Sequence, residues 1–247
     1  MSKEKGLSQK RITQMIMSKA AYFTHRNSRE LVQTVRSVLE RQQPNERYIM
    51  TALTHMLREK YFYVSFHEKK TPYYSLTDNG RNVYKKEKKV VPSRVRAVQK
   101  VAQTILYDIT KDGEKPSTVE VLPSGDRTFF SSIVSAQDVF RYYVLREAMK
   151  QPDLVMADIQ GSIEKQFGWK PSKSYIHQLA LAMEEDKTNG PLLKGKWTDP
   201  RIRHKRYWRI TKAGHDFFPR LEQDTVDRVR NTYYYLQDIL SYIEKKE

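Results

Sequence analysis

Between Lys194 and Arg209 the chain places Lys194, Lys196, Arg201, Arg203, Lys205, Arg206 and Arg209 against the single acid Asp199. Seven like charges in 16 residues repel one another, so the chemistry they suit is neutralisation of a polyanion. His204 stands among them, and Tyr233, Tyr234 and Tyr235 follow. With Arg201 and Arg203 these residues could be read as a tyrosine nucleophile for strand cleavage, but a basic segment and a tyrosine-rich segment need no covalent chemistry, and binding is the simpler expectation. The six histidines include no His-x-His, His-x3-His or His-Glu-x-x-His pair, and there are no cysteines, so neither a zinc site nor a disulfide is expected. No Gly-x4-Gly-Lys-Ser/Thr loop or Gly-x-Ser-x-Gly elbow occurs. The residues point to a protein that is not an enzyme and takes no metal or cofactor.

The whole chain carries the same bias. Its 247 residues hold 45 Lys plus Arg against 29 Asp plus Glu, a net charge of +16, which predicts a polyanionic partner. Residues 216–247 differ, with seven acids and five bases, and are expected to serve another purpose. Hydrophobic residues make up 38%, too many for a disordered chain and enough for two modest cores. No apolar run approaches the roughly 18 residues of a membrane span, and residues 1–20 lack the apolar centre of a signal peptide. A cytoplasmic, nucleoid-associated protein that makes no use of a membrane is the expectation.

A repeat organises the elements that must carry these charges. Pro44, Tyr48-Ile49, Met56 and Tyr74-x-Leu76-Thr77-x-x-Gly80-x-x-x-Tyr84 recur as Pro171, Tyr175-Ile176, Met183 and Trp208-x-Ile210-Thr211-x-x-Gly214-x-x-x-Phe218. Only the interval between the halves differs: Tyr to Thr is 29 positions in the first copy and 36 in the second. A fixed pattern with one elastic interval predicts a duplicated domain with a variable loop.

Periodicity fills in each copy. In the first, helices are predicted over about 7–25, from Ser28 as N-cap, and over about 46–60 behind Asn45, followed by strands at 61–66 and 72–76 joined through His67-Glu68-Lys69-Lys70. In the second, helices are predicted over 136–150, 155–167 and 172–185, with strands near 192–197 and 207–210. Gly80 and Gly214 are assigned to helix packing or an awkward backbone angle, and Thr77 and Thr211 to N-caps. Residues 111–132 read as loop, with one strand near 118–122. From Val226 onward, Val226, Val229, Tyr233, Leu236, Leu240 and Ile243 are spaced 3, 4, 3, 4, 3, a heptad seam for which pairing with a second chain is favoured over packing on the chain's own core. The predicted fold is mainly α with small β-hairpins: two tandem winged helix-turn-helix domains and a long terminal helix. The domains are 1–90, a basic linker, helix and loop at 91–135, a second winged domain at 136–218, and a dimerisation helix at 219–247.

Residues Pro171 to Phe218 resemble the winged-helix domain of the PadR family of bacterial transcription regulators. The resemblance is carried by Pro171-Ser172-x-x-Tyr175, Leu179-x-x-x-Met183-Glu184-Glu185, Leu192-Leu193 and Arg206-Tyr207-Trp208-x-Ile210-Thr211-x-x-Gly214. It implies a dimeric, repressor-like protein whose third helix and basic wing contact operator DNA.

Together these readings predict a sequence-specific binder of double-stranded DNA, a homodimeric transcription regulator. The candidate contacts are Arg47, Tyr48, Thr51, His55, Lys69 and Lys70 in the first unit. In the second they are Ser172, Lys173, Ser174, Tyr175, His177, Gln178, Lys196, Arg201, Arg203, His204, Lys205 and Arg206. The alternative is a plasmid or phage replication initiator or partition protein that binds iterated repeats. A third reading makes the first unit a protein-binding scaffold, because its wing tip offers only Lys69 and Lys70. No sequence feature points to a small-molecule effector.

Overall fold

The structure, a computed structural model, describes residues 6–117, 120–198 and 206–245. The fold is mainly helical with small antiparallel sheets, and its residues form two compact units. One comprises Met1–Gln99, Pro123–Phe129 and Tyr233–Glu247, the other Lys100–Leu122 and Phe130–Thr232. No helix among the described residues is long and apolar enough to cross a membrane.

In the first unit, α1 (Gln9–Ala20) starts where the Ser8 hydroxyl accepts from the Arg11 N–H, and it buries Ile12, Met15 and Ile16. Next, α2 (Ser28–Val38) is capped by Asn27 rather than Ser28. The Asn27 side chain accepts from the Glu30 N–H while the Glu30 carboxylate accepts from the Asn27 N–H, a reciprocal capping box that Ser28 could not complete in this register. Then α3 (Glu46–Arg58) begins behind the expected cap Asn45 and turns Ile49, Ala52, Leu53 and Met56 inward. The hairpin is β2 (Phe62–Glu68) and β3 (Thr71–Leu76), with Lys69 in the left-handed region at φ 55°. A two-residue strand between the first two helices, β1 (Arg26–Asn27), adds to the free edge of β3 and pairs Arg26 with Tyr74.

The second unit has the same element order. Helices α6 (Ala136–Lys150), α7 (Met156–Phe167) and α8 (Lys173–Glu184) precede β4 (Leu193–Trp197) and β5 (Arg206–Ile210). Leu154, between α6 and α7, bridges Trp208 on β5, the position that corresponds in the repeat to Tyr74. Its core is aromatic: Phe140 stacks on Trp169 at 4.4 Å, and the Trp169 indole N–H donates to Ser131 Oγ at 2.9 Å. Asp108 accepts from Arg146 Nη1 (2.6 Å) and from the Tyr143 hydroxyl (3.0 Å). Burial alone would raise the Asp108 carboxyl, but Arg146, with Lys111 and Tyr143, holds it below the ordinary carboxylate range.

The segments outside the two repeats differ from expectation. The helix expected within 91–135 and the short helix expected at Thr77 are parts of one longer element that also takes in the basic stretch: 78–110 is one helix, α4 (Asp78–Thr110), with Pro92 inside it. Val91, Val95, Val98, Val101, Ala102 and Ile105 are buried at helical spacing, so the apolar stripe runs through the charge-rich stretch. Within 111–132, predicted as loop, Ser124–Ile133 forms α5. The Gly125 and Gly6 backbones lie too close to admit a side chain, and Asp126 Oδ1 accepts from the Leu7 N–H at 2.6 Å. Of the strand expected near 118–122, Thr118 and Val119 lie outside the described residues and 120–122 are not extended in a sheet.

The terminal helix, α9 (Lys212–Glu244), supplies residues to both units. Its predicted seam is not an open face, which corrects the reading of Val226, Val229, Tyr233, Leu236, Leu240 and Ile243 as a pairing surface. Val229, Leu236 and Ile243 are fully buried, Val226 and Leu240 nearly so, and Tyr233 partly, all within this chain. The stripe is also broader than a seam, because Leu221, Thr225, Thr232, Tyr235 and Ile239 are buried beside it. Thr225 and Thr232 satisfy their hydroxyls on the Leu221 and Arg228 carbonyls one turn back, so counting only apolar letters missed them.

Candidate nucleic-acid interface

The two copies match in detail at the junction of hairpin and long helix. In the first, the Thr77 N–H donates to the Tyr61 carbonyl (3.0 Å) and the Thr77 hydroxyl accepts from the Gly80 N–H (3.0 Å). In the second, the Thr211 N–H donates to the Leu192 carbonyl (3.1 Å) and its hydroxyl accepts from the Gly214 N–H (3.1 Å). A Cβ at Gly80 would strike the Tyr61 carbonyl, and one at Gly214 the Leu192 carbonyl. Thr-x-x-Gly is therefore a device that clamps a helix start onto the strand entry, and neither glycine needs a positive φ.

The third helices correspond as well. Asn45 Oδ1 accepts from the Tyr48 N–H (2.8 Å), and Ser172 Oγ accepts from the Tyr175 N–H (3.2 Å). Aligning those caps fixes the outward stripes, since residues 4, 7 and 11 apart return to one side of a helix. On α3 the stripe is Arg47, Thr51, Thr54 and Arg58, and on α8 it is Ser174, Gln178, Leu181 and Glu185, all eight exposed. Lys173 and His177 border the second stripe and are also exposed. Among the predicted contacts, Arg47, Thr51, Lys173, Ser174, His177 and Gln178 are exposed on these outer sides. Thr54, Arg58 and Leu181 were missed, although a helical wheel centred on Arg47 and Ser174 finds all three. Leu181 is 37% exposed, and an apolar side chain in that position suits the methyl group of a thymine.

Four predicted contacts turn inward. Tyr48 is half-buried, and burial raises its phenol despite an interaction with Thr13 that lowers it. Tyr175 packs its ring edge toward Phe140 at 5.9 Å, with burial and then Asp138 raising its phenol. His55 faces Gln14 across 3.3 Å and lines a cavity of about 260 Å³ with Met15, Met56, Tyr61 and Tyr84. Arg206 pairs with Glu184 and lies over the rings of Trp208 (4.4 Å) and Trp197 (5.3 Å). Glu184 also accepts from the Gly195 N–H at 2.8 Å, so Arg206 fastens the hairpin to the end of α8 instead of facing outward. Ser172 is exposed but its hydroxyl is engaged in the cap and with Ser174 Oγ.

Lys69 and Lys70 stand exposed at the first hairpin turn, and Lys194 and Lys196 on β4. Arg201, Arg203, His204 and Lys205 lie outside the described residues. Arg209 is held by Asp153, which accepts at 2.7 and 2.9 Å. A further exposed run, Lys85, Lys86, Lys88 and Lys89, covers one side of α4 in the first unit. No protein-family model and no curated protein sequence matches this chain.

Proposed function

We propose that the protein is a sequence-specific double-stranded DNA-binding protein that regulates transcription, each unit acting as a winged helix. The single observation that carries the reading is the twice-built third helix with an outward stripe of Arg47, Thr51, Thr54, Arg58 or Ser174, Gln178, Leu181, Glu185. Arginine, serine, glutamine and leucine in such a stripe suit base edges and flanking phosphates in a major groove. The net charge of +16 supplies the electrostatic share of affinity. The likeness of Pro171 to Phe218 to the PadR winged helix supports the same reading, and a homodimeric, repressor-like regulator is its fullest form. With the terminal seam buried, a dimer would need another surface.

Selection of bound duplexes from a random pool tests this directly. A regulator yields one recurrent motif, and binding to it falls with salt with a log-log slope near −7 if roughly 8 phosphates are neutralised. Recovery of no motif sinks the proposal. Two binding units in one chain also favour a second reading, an initiator or partition protein of a plasmid or phage; several iterated half-sites beside an AT-rich tract in the selected or footprinted DNA would favour it.

A further inference from the structure

The outer face of the first unit's sheet is a row of rings. In an antiparallel ladder, directly opposed residues share a face. The register opposes Tyr63 to Ser75 and Phe66 to Tyr73, with a bulge between Val64 and Phe66. The bulge is what brings Phe66 outward. Without the extra residue Ser65, strict alternation would place Phe66 on the same face as Phe62 and Val64, opposite Tyr63. Ser65 Oγ donates to the Tyr73 carbonyl at 2.9 Å and holds the irregular step.

On that face Phe66 stacks on Tyr73 with ring centroids 4.7 Å apart and planes 10° from parallel. The His25 ring meets the edge of Phe66 at 5.2 Å and bonds to Ser75 Oγ. Tyr63 is 46% exposed and Phe66 44%, while on the opposite face Phe62, Tyr74 and Leu76 are buried and Val64, nearer the hairpin tip, is 42% exposed. Exposed rings gathered on one sheet face mark a binding surface. Every side chain in the row except Ser75 has a flat π system and most carry a polar edge, a composition that favours planar heterocycles over an aliphatic protein face. Lys69 and Lys70 close the hairpin beside it, with Glu68 accepting from the Tyr73 hydroxyl at 2.8 Å. Residues 1–99 hold 21 lysines and arginines against eight acids, so the occupant should be anionic.

We infer that this face, built from Tyr63, Phe66, Tyr73 and His25, stacks the unpaired bases of single-stranded DNA. The inference rests on the DNA-binding reading above and extends it: the same chain would hold duplex on its third helices and an opened strand on this sheet. Base stacking on rings tolerates any sequence and leaves the backbone to nearby cations.

The test uses the full chain, a 15-nucleotide oligothymidylate carrying one central 2-aminopurine, and a selected duplex. Binding should quench the 2-aminopurine by stacking. Tyr63→Leu with Phe66→Leu should weaken the oligonucleotide at least 10-fold and abolish the quench, with duplex affinity changed less than 2-fold. Tyr63→Phe with Phe66→Tyr, which keeps both rings, should leave both signals at the wild-type level. Unchanged single-strand affinity in the double variant overturns the inference, as does a wild-type chain that binds duplex but not the oligonucleotide. Tighter binding of an oligouridylate of equal length assigns the face to RNA and overturns it too. A wild-type chain that binds neither DNA overturns the duplex reading together with this one.

Discussion

The carbonyl of Tyr61 occupies the space that a side chain at Gly80 would need, and the carbonyl of Leu192 does the same to Gly214. Gly80→Ala and Gly214→Ala must each push a helix start away from a strand entry, an overpacking cost of about 1–3 kcal/mol. Urea denaturation of each variant should show its midpoint lowered. Alanine tolerated at both positions would separate the two junctions from the stability of their units.

Arg206 and Lys196 lie on neighbouring strands but should respond differently. Arg206→Ala leaves Glu184 half-buried without its cation and is expected to cost about 2–3 kcal/mol of stability. Lys196→Ala should leave stability within about 0.5 kcal/mol and weaken all DNA sequences alike. Thermal melts paired with binding isotherms distinguish a strut from a contact.

Arg47 and Arg58 stand at either end of the α3 stripe. If both meet phosphates, replacing both with alanine should make the salt slope shallower by roughly 2. A slope unchanged by the double substitution would place the first unit away from DNA and favour its use as a protein-binding scaffold.

Asp108 sets a pH limit. Its carboxyl titrates lower in the folded chain than in the unfolded one, so its stabilising contribution is complete above the unfolded value of about 3.9 and is lost as pH falls through the lower folded value. Asp108→Asn should cost about 2 kcal/mol at neutral pH and flatten the acid limb of the stability profile below about pH 4. Thermal midpoints measured from pH 7 down to pH 2 would reveal an Asn variant that parallels the wild type, the outcome contrary to this account.

Leu236 is fully buried within the chain. Leu236→Ala should therefore cost about 2–5 kcal/mol, by an amount independent of protein concentration. A loss that grows on dilution would instead restore the seam as an interface between chains.

Most of the helical frame was legible because local signals coincide with it. Asn45, Ser172 and the 3.6-residue spacing set the third helices, and Ala136–Lys150 runs as predicted. What escaped notice depended on distant partners. Strand β1 has only two residues and is extended because β3 offers it an edge. The helix at 124–133 is seated by Gly6 and Leu7, more than a hundred positions away. On the candidate interface, helical spacing found the exposed positions but not the direction of His55 or Arg206, which is decided by Gln14 and Glu184. The bulge at Ser65 has no letter that announces it, and alternation alone would put Tyr63 and Phe66 on opposite faces.

Lys19 donates from Nζ to the carbonyls of Tyr242 (2.7 Å), Ile243 (3.1 Å) and Lys245 (2.6 Å), closing the end of α9 with a residue of α1. The first unit is thus completed by a segment that the ribosome makes only after every residue of the second. A nascent chain stalled anywhere before that point carries an unfinished first unit, which can close only once residues 233–245 have been made.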